Sequence, residues 1–388
     1  MLGRQDLASR RKALPIAQPL GHGSCHSRGR LQGDSRFFIG MDLRLWLVGT
    51  YEDSKRAKRA GLQWCESMKD QRSILDAIGN TPLVELRRIV PKGSARIVAK
   101  LESANPTGSM KDRLARTIVG RAAAAGRLPP GGTVVEYTAG TTGISLALVA
   151  SALGYRTHFV FSDAFSDEKR WTMRAYGAEI TDVMSDNKTI TKELIQAMIA
   201  KAEEVSRQPG HWWADQLKNE DGADGYAGLG EEIWQQTQGA VDAVVHTVST
   251  AHSIHGMSRA LREHKRNLSV FAVEPAESAV LSGHPPGAHK IEGIGLGFIP
   301  PLWHPEEVEE ILPISTQDAK AMARRLAREE AIFAGTSTGA NIHAALQVAE
   351  RLGPGRTVAT IIVDSGLRYV STDVFREFEH STSTRAGK

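Results

Sequence analysis

Cysteine is almost missing from this 388-residue chain, and several other signals that would decide its class at once are missing too. The two cysteines, Cys25 and Cys65, both lie near the N-terminus. The rest of the chain therefore has no thiol for a disulfide framework, a zinc cluster or a cysteine nucleophile. No uninterrupted apolar run approaches the roughly 20 residues of a membrane-spanning helix, so no membrane partner is expected. No apolar stretch follows the early arginines, which argues against a secretory leader. No Gly-x-Gly-x-x-Gly opens the first strand–helix unit, which leaves a nicotinamide oxidoreductase a weak reading. A charged body is lacking as well. The formal charge is +4, but residues 1–70 hold 13 Lys+Arg against 7 Asp+Glu, so the remainder carries −2. Without a basic stripe, nothing in the body points to nucleic acid.

What is present begins with a basic N-terminal extension over residues 1–70, expected to be disordered or partly helical. Residues 1–40 are rich in Arg, Ser and Gly and show no sustained period. A plain tail, an organellar targeting segment and an upstream start compete for them, and a tail or misplaced start is preferred, with Met41 and Met68 as alternative starts. From about Ser73 the pattern becomes alternating β and α. Strand-like runs fall at Ile97–Leu101, Val134–Tyr137, His158–Phe161, Val241–Val248, Val270–Val273 and Ala359–Val363. Helical patterns fall at Ile144–Leu153, Glu168–Tyr176, Lys192–Val205, Thr316–Arg328 and Ala340–Arg351. Short buried strands alternating with helices imply an α/β protein with mostly parallel sheets covered on both faces.

Such folds bind ligands where strand ends lead into helix starts, and the unusual sequences fall there. Lys111 follows the turn Asn105-Pro106-Thr107-Gly108-Ser109-Met110 and opens a helix. A lone lysine there is usually a solvated surface group. A helix N-terminus opposes a cation and favours the neutral amine that Schiff-base chemistry needs. Thr138-Ala139-Gly140-Thr141-Thr142-Gly143 offers hydroxyls and N–H groups suited to a carboxylate, or is simply a capped βα turn. Ser249-Thr250-Ala251-His252-Ser253 could hold a phosphate through hydroxyls and free N–H groups, although it lacks the usual glycines. His252 and His255 are expected to be neutral surface histidines on the helix that follows.

Taken together and in this order, these stretches resemble the cysteine synthase and cystathionine β-synthase family of fold-type II pyridoxal-phosphate enzymes, over about Ser73 to Phe378. Gly79-Asn80-Thr81-Pro82-Leu83 is similar to the family's opening motif, and Asn105–Arg113 to its Schiff-base segment. The resemblance implies that Lys111 carries pyridoxal 5′-phosphate and acts as base. It implies substrate-carboxylate contacts from Thr138, Ala139, Gly140, Thr142 and Gln216, and cofactor contacts from Thr141, Ser249, Thr250, Ala251, His252 and Ser253. Glu292-Gly293-Ile294-Gly295-Leu296-Gly297 resembles the segment that closes near the substrate, which gives Gly293 a substrate role. Gly335-Thr336-Ser337-Thr338-Gly339-Ala340 is another family stretch, and Ser365 matches the serine facing the pyridine nitrogen. Asp364, next to it, is expected to point away by strand alternation.

The implied architecture is two-lobed: residues 71–104 and 217–380 in the large cofactor lobe, 105–216 in a smaller mobile lobe, 381–388 as a tail. The implied reaction is β-replacement through aldimine and aminoacrylate intermediates, joining O-acetylserine or an activated relative with sulfide. The partners are then an amino-acid substrate and a sulfur nucleophile, in a cytoplasmic homodimer with no metal. Cystathionine β-synthase, serine/threonine dehydratase and cysteine desulfhydrase are the near alternatives, and a catalytically inactive binding relative is the distant one. The chain also departs from the family. Ala139 and Thr141 stand where Ser and Asn are usual, and Ser249, Ala251 and His252 stand where the phosphate loop carries glycines.

Overall fold

The computed structural model describes residues 73–376. The expectations for the extension 1–70 and the tail 381–388 lie outside the described residues. Ten strands run in chain order: β1 Leu83–Leu86, β2 Arg96–Leu101, β3 Thr133–Tyr137, β4 Arg156–Phe161, β5 Glu179–Asp182, β6 His211–Trp213, β7 Ala243–Thr247, β8 Ser269–Pro275, β9 Glu310–Ile314 and β10 Thr357–Ile362. The helices between them are α1 Lys111–Ala124, α2 Thr141–Ala152, α3 Asp167–Ala175, α4 Lys192–Ser206, α5 Asp221–Asp224, α6 Ala227–Gln236, α7 His252–His264, α8 Thr316–Arg325, α9 Thr336–Leu352 and α10 Asp373–Arg376.

The strands form two sheets. One has the order β1-β2-β10-β7-β8-β9 and the other β5-β4-β3-β6. All pairings are parallel except that of β1 with β2. The central strands are mostly apolar because both of their faces are covered. In β10, Val358 and Ile362 join a core with α8 and α9, whereas Ala359 and Ile361 face a second core shared with α1, α7 and the smaller sheet. Successive side chains point to opposite faces, so a strand buried on both sides cannot alternate in polarity.

Four strands were not legible as strands, namely β1, β5, β6 and β9, and all four are sheet edges. An edge strand is partly solvated and carries polar residues or proline, as Pro313 does in β9. The helix expected over Thr316–Arg328 stops at Arg325 and continues as one wider turn, Leu326–Glu330, ending at Ala331 with φ +57°. The helix expected from Ala340 begins earlier, at Thr336.

Candidate active site

Several of these connections converge on one cavity of about 370 Å³. Lys111 lies on it as the first residue of α1, after a turn in which Ser109 Oγ accepts the Lys111 N–H at 3.2 Å. Burial lowers the amine from 10.5 to about 8, opposed by the nearby Asp364 carboxylate. Desolvation is the largest cause of this shift towards the neutral amine.

The loop after β3 makes a second wall. Thr138 Oγ1 accepts the N–H groups of Gly140 (2.9 Å) and Gly143 (3.0 Å), which caps the start of α2. Gly140 sits at φ +114°, and a Cβ there would fall 2.4 Å from Lys169 Cδ, so no larger residue fits without moving that side chain. Thr142 Oγ1 donates to Gln216 Oε1 at 2.9 Å, and Gln216 Nε2 donates to Tyr137 O at 2.9 Å. The Gln216 N–H donates to Glu136, a carboxyl that burial pushes up to about 8. Thr138, Ala139, Thr141, Thr142 and Gln216 all line the cavity, with Gly140 behind them.

The loop after β7 supplies a third wall through Ser249 and Thr250, and Gly293 supplies part of a fourth. Ala251, His252 and Ser253 follow at the start of α7 and are not among the residues lining the cavity. Ala251 adopts φ +71°, a left-handed conformation that costs an L residue about 1 kcal/mol. The N–H groups of His252, Ser253 and Ile254 precede the first intrahelical bond, from His255 N to Ala251 O, and have no acceptor within the helix. His252 and His255 are each only 2% exposed, contrary to the surface position expected for them. The first turns of α7 are packed under α5 and α6, and His252 fills the space beside Gly222. Burial lowers His252 to about 4, so it is neutral as anticipated.

Two further residues lie just past the end of β10. The strand ends at Ile362, so alternation no longer governs Asp364. Its carboxyl is buried, accepts from Tyr369 OH at 2.7 Å, and leaves Oδ1 without a partner. Neither Asp364 nor Ser365 is among the residues lining the cavity. Ser365 Oγ accepts the Leu367 N–H at 3.3 Å and caps the turn Gly366–Tyr369. Sequence reasoning also missed Lys169. This lysine, 2% exposed on α3, lies on the cavity wall, forms an ion pair with Glu292 and places its ammonium 5.1 Å from the Tyr369 ring centroid. A charge inside an amphipathic helical pattern reads as surface, so only the pairing reveals it.

Residues 74–364 match the family model of pyridoxal-phosphate-dependent enzymes. The chain belongs to this family. This pyridoxal-phosphate enzyme is 39% identical over 305 residues to the cysteine synthase of Staphylococcus aureus, covering 78% of this chain and 96% of that one. Among solved structures it resembles the cysteine synthase of Entamoeba histolytica with a TM-score of 0.73 at 39% identity, covering 79% and 90% of the two chains. It also resembles the O-acetylserine-dependent cystathionine β-synthase of Helicobacter pylori, with a TM-score of 0.74 at 35% identity, covering 78% and 98%. The residues of this cavity fit the cofactor. A buried amine held near neutrality suits an aldehyde, and free N–H groups at the start of α7 suit a phosphate.

Proposed function

We propose that this enzyme catalyses a cysteine synthase-like β-replacement, in which an amino acid with a leaving group on Cβ, such as O-acetylserine, reacts with sulfide to give L-cysteine. The observation that carries this reading is the buried Lys111 amine, held at about 8, on one cavity with the hydroxyl-rich loop Thr138–Thr142. Bound there, pyridoxal phosphate supplies the electron sink for breaking bonds at Cα and Cβ. Lys111 anchors the cofactor and moves the α-proton. Free N–H groups around Thr141 and Thr142 hold the substrate carboxylate, with Gln216 fixing Thr142, and the Gly293 segment covers the substrate. The loop Ser249–Ser253 holds the phosphate.

For the ring nitrogen, the proposal keeps Ser365. Its Oγ accepts the Leu367 N–H, which leaves its own O–H free to donate. A neutral serine holds that nitrogen without a full positive charge, which favours loss of the β-substituent. The same family resemblance supports a cytoplasmic homodimer. The test is to incubate the purified holoenzyme with O-acetylserine, O-phosphoserine, serine or cysteine, with and without sulfide. Cysteine formation from O-acetylserine and sulfide is expected to exceed every other conversion. Sulfide release from cysteine as the fastest reaction would overturn the proposal in favour of desulfhydration.

A further inference from the structure

Two buried histidines stand directly behind the loop that lacks its glycines, and their hydrogen bonds fix where each hydroxyl proton of that loop goes. His246, on β7, is 1% exposed. Asn341 sets its tautomer: Asn341 Oδ1 accepts the Thr247 N–H at 2.7 Å, so its Nδ2 donates, to Ile361 O at 2.9 Å and to His246 Nδ1 at 3.3 Å. With Nδ1 accepting, the proton of the neutral ring is on Nε2, which donates to Ser253 Oγ at 2.9 Å. Ser253 thus accepts from behind and keeps its own O–H free, while remaining 8% exposed.

His252 does the reverse. Its Nε2 lies 2.9 Å from the carbonyl of Asn219, which can only accept, so Nε2 carries the proton. The bare Nδ1 then accepts the Thr250 O–H at 2.8 Å. The Thr250 proton is therefore engaged, and the bond it makes runs through His252 to the segment Asp215–Asn219 that carries Gln216. Asn219 is itself fixed by its side-chain bond to Ala214 O at 2.9 Å. Both imidazoles are buried and near Lys111, and both conditions keep them uncharged, with His246 lowered to about 3 and His252 to about 4. Neither offers a phosphate a positive charge.

We infer that the two imidazoles are positioning residues with opposite effects: His246 holds Ser253 so that its O–H is available to the cofactor's phosphate, and His252 withdraws the Thr250 O–H to tie the phosphate loop to the segment bearing Gln216. The side chains that replace glycine thereby give the loop one hydroxyl donor and one structural tie. The inference rests on the placement of the phosphate at this loop proposed above.

The experiment titrates apoenzyme variants with pyridoxal phosphate and, in parallel, with pyridoxal, which lacks the phosphate, following cofactor absorbance. Ser253→Ala is expected to weaken pyridoxal phosphate by about 10- to 100-fold, the worth of one hydrogen bond to a charged group, and to leave pyridoxal unchanged. Thr250→Val is expected to change both by less than about threefold, since no donor to phosphate is lost. His246→Leu should match Ser253→Ala, the two should be no worse combined, and His246→Gln, which keeps a donor near Nε2, should recover most of the loss. His252→Gly should leave pyridoxal phosphate affinity intact or tighter while raising the KM for the amino acid. Thr250→Val weakening pyridoxal phosphate as much as Ser253→Ala would overturn the division between the hydroxyls while leaving the phosphate placement standing. No variant separating pyridoxal phosphate from pyridoxal would overturn the placement itself. Should His246→Leu fail to fold, the Ser253→Ala and Thr250→Val pair still decides, because each removes only a hydroxyl.

Discussion

Replacing Lys111 by methionine should make the apoenzyme more stable at neutral pH, although it destroys the chemistry. The native amine titrates at about 8 against 10.5 in its ordinary state, because burial penalises the ammonium form. Below about pH 8 both the native and unfolded chains carry the proton, and the native state bears the full penalty. Between about 8 and 10.5 the unfolded chain still binds a proton that the native lysine has released, so this group's contribution to stability rises with pH across that window. At 1.36 kcal/mol per pH unit the interval is worth about 3 kcal/mol. Lys111→Met removes the penalty and keeps the apolar contacts of the stem, so the gain should be about 3 kcal/mol at pH 7 and should shrink towards pH 10. Urea unfolding of both apoproteins, stripped of cofactor, at pH 6.5, 7.5, 8.5 and 9.5 measures it. A variant no more stable than wild type at pH 7, or a difference constant across the series, would refute the idea that desolvation sets the reactivity of Lys111.

Glu292→Gln should leave the Lys169 ammonium buried without its counter-charge and raise the KM for the amino acid by at least about tenfold, because an uncompensated buried charge is costly. Adding Lys169→Met should recover most of that loss, and steady-state kinetics of the double variant check it. Gly140→Ala should lower kcat/KM by at least about 100-fold with an unchanged far-UV circular dichroism spectrum, since it combines a strained φ with a Cβ 2.4 Å from Lys169 Cδ.

The interior of the fold was legible and its edges were not. Strands β2, β3, β4, β7, β8 and β10 are apolar enough to read directly, because each is covered on both faces. The edge strands, such as β5 with Glu179-Ile180-Thr181-Asp182, have no pattern that distinguishes them from loop. In the site, sequence spacing located the loops, because strand ends in this fold lead into helix starts. It could not orient individual side chains. Alternation could not orient Asp364, which lies past the last residue of β10, and at Ser365 a cap and a ligand look alike in sequence. The histidines of α7 look like surface residues until the helices packed over them are known, and Lys169 until its partner Glu292 is seen across the cavity.

These corrections bear on the reaction, because they show how charge is arranged around Lys111. Lys169 is matched by Glu292, and Asp364 is held by Tyr369 with its carboxyl raised by burial. His246 and His252 are neutral. No arginine lines the cavity among the described residues, so a substrate carboxylate on the loop Thr138–Thr142 is met by hydroxyl and N–H dipoles. Glu136 titrates near the same pH as Lys111, but its oxygens accept the N–H groups of Tyr137 and Gln216 beneath the loop. Lys111 is therefore a group on the cavity whose proton can come and go near neutral pH without breaking an ion pair. A base that must take a proton from Cα and return to anchoring the cofactor needs that freedom, and here desolvation provides it, with the single opposing charge of Asp364 keeping the amine from falling further.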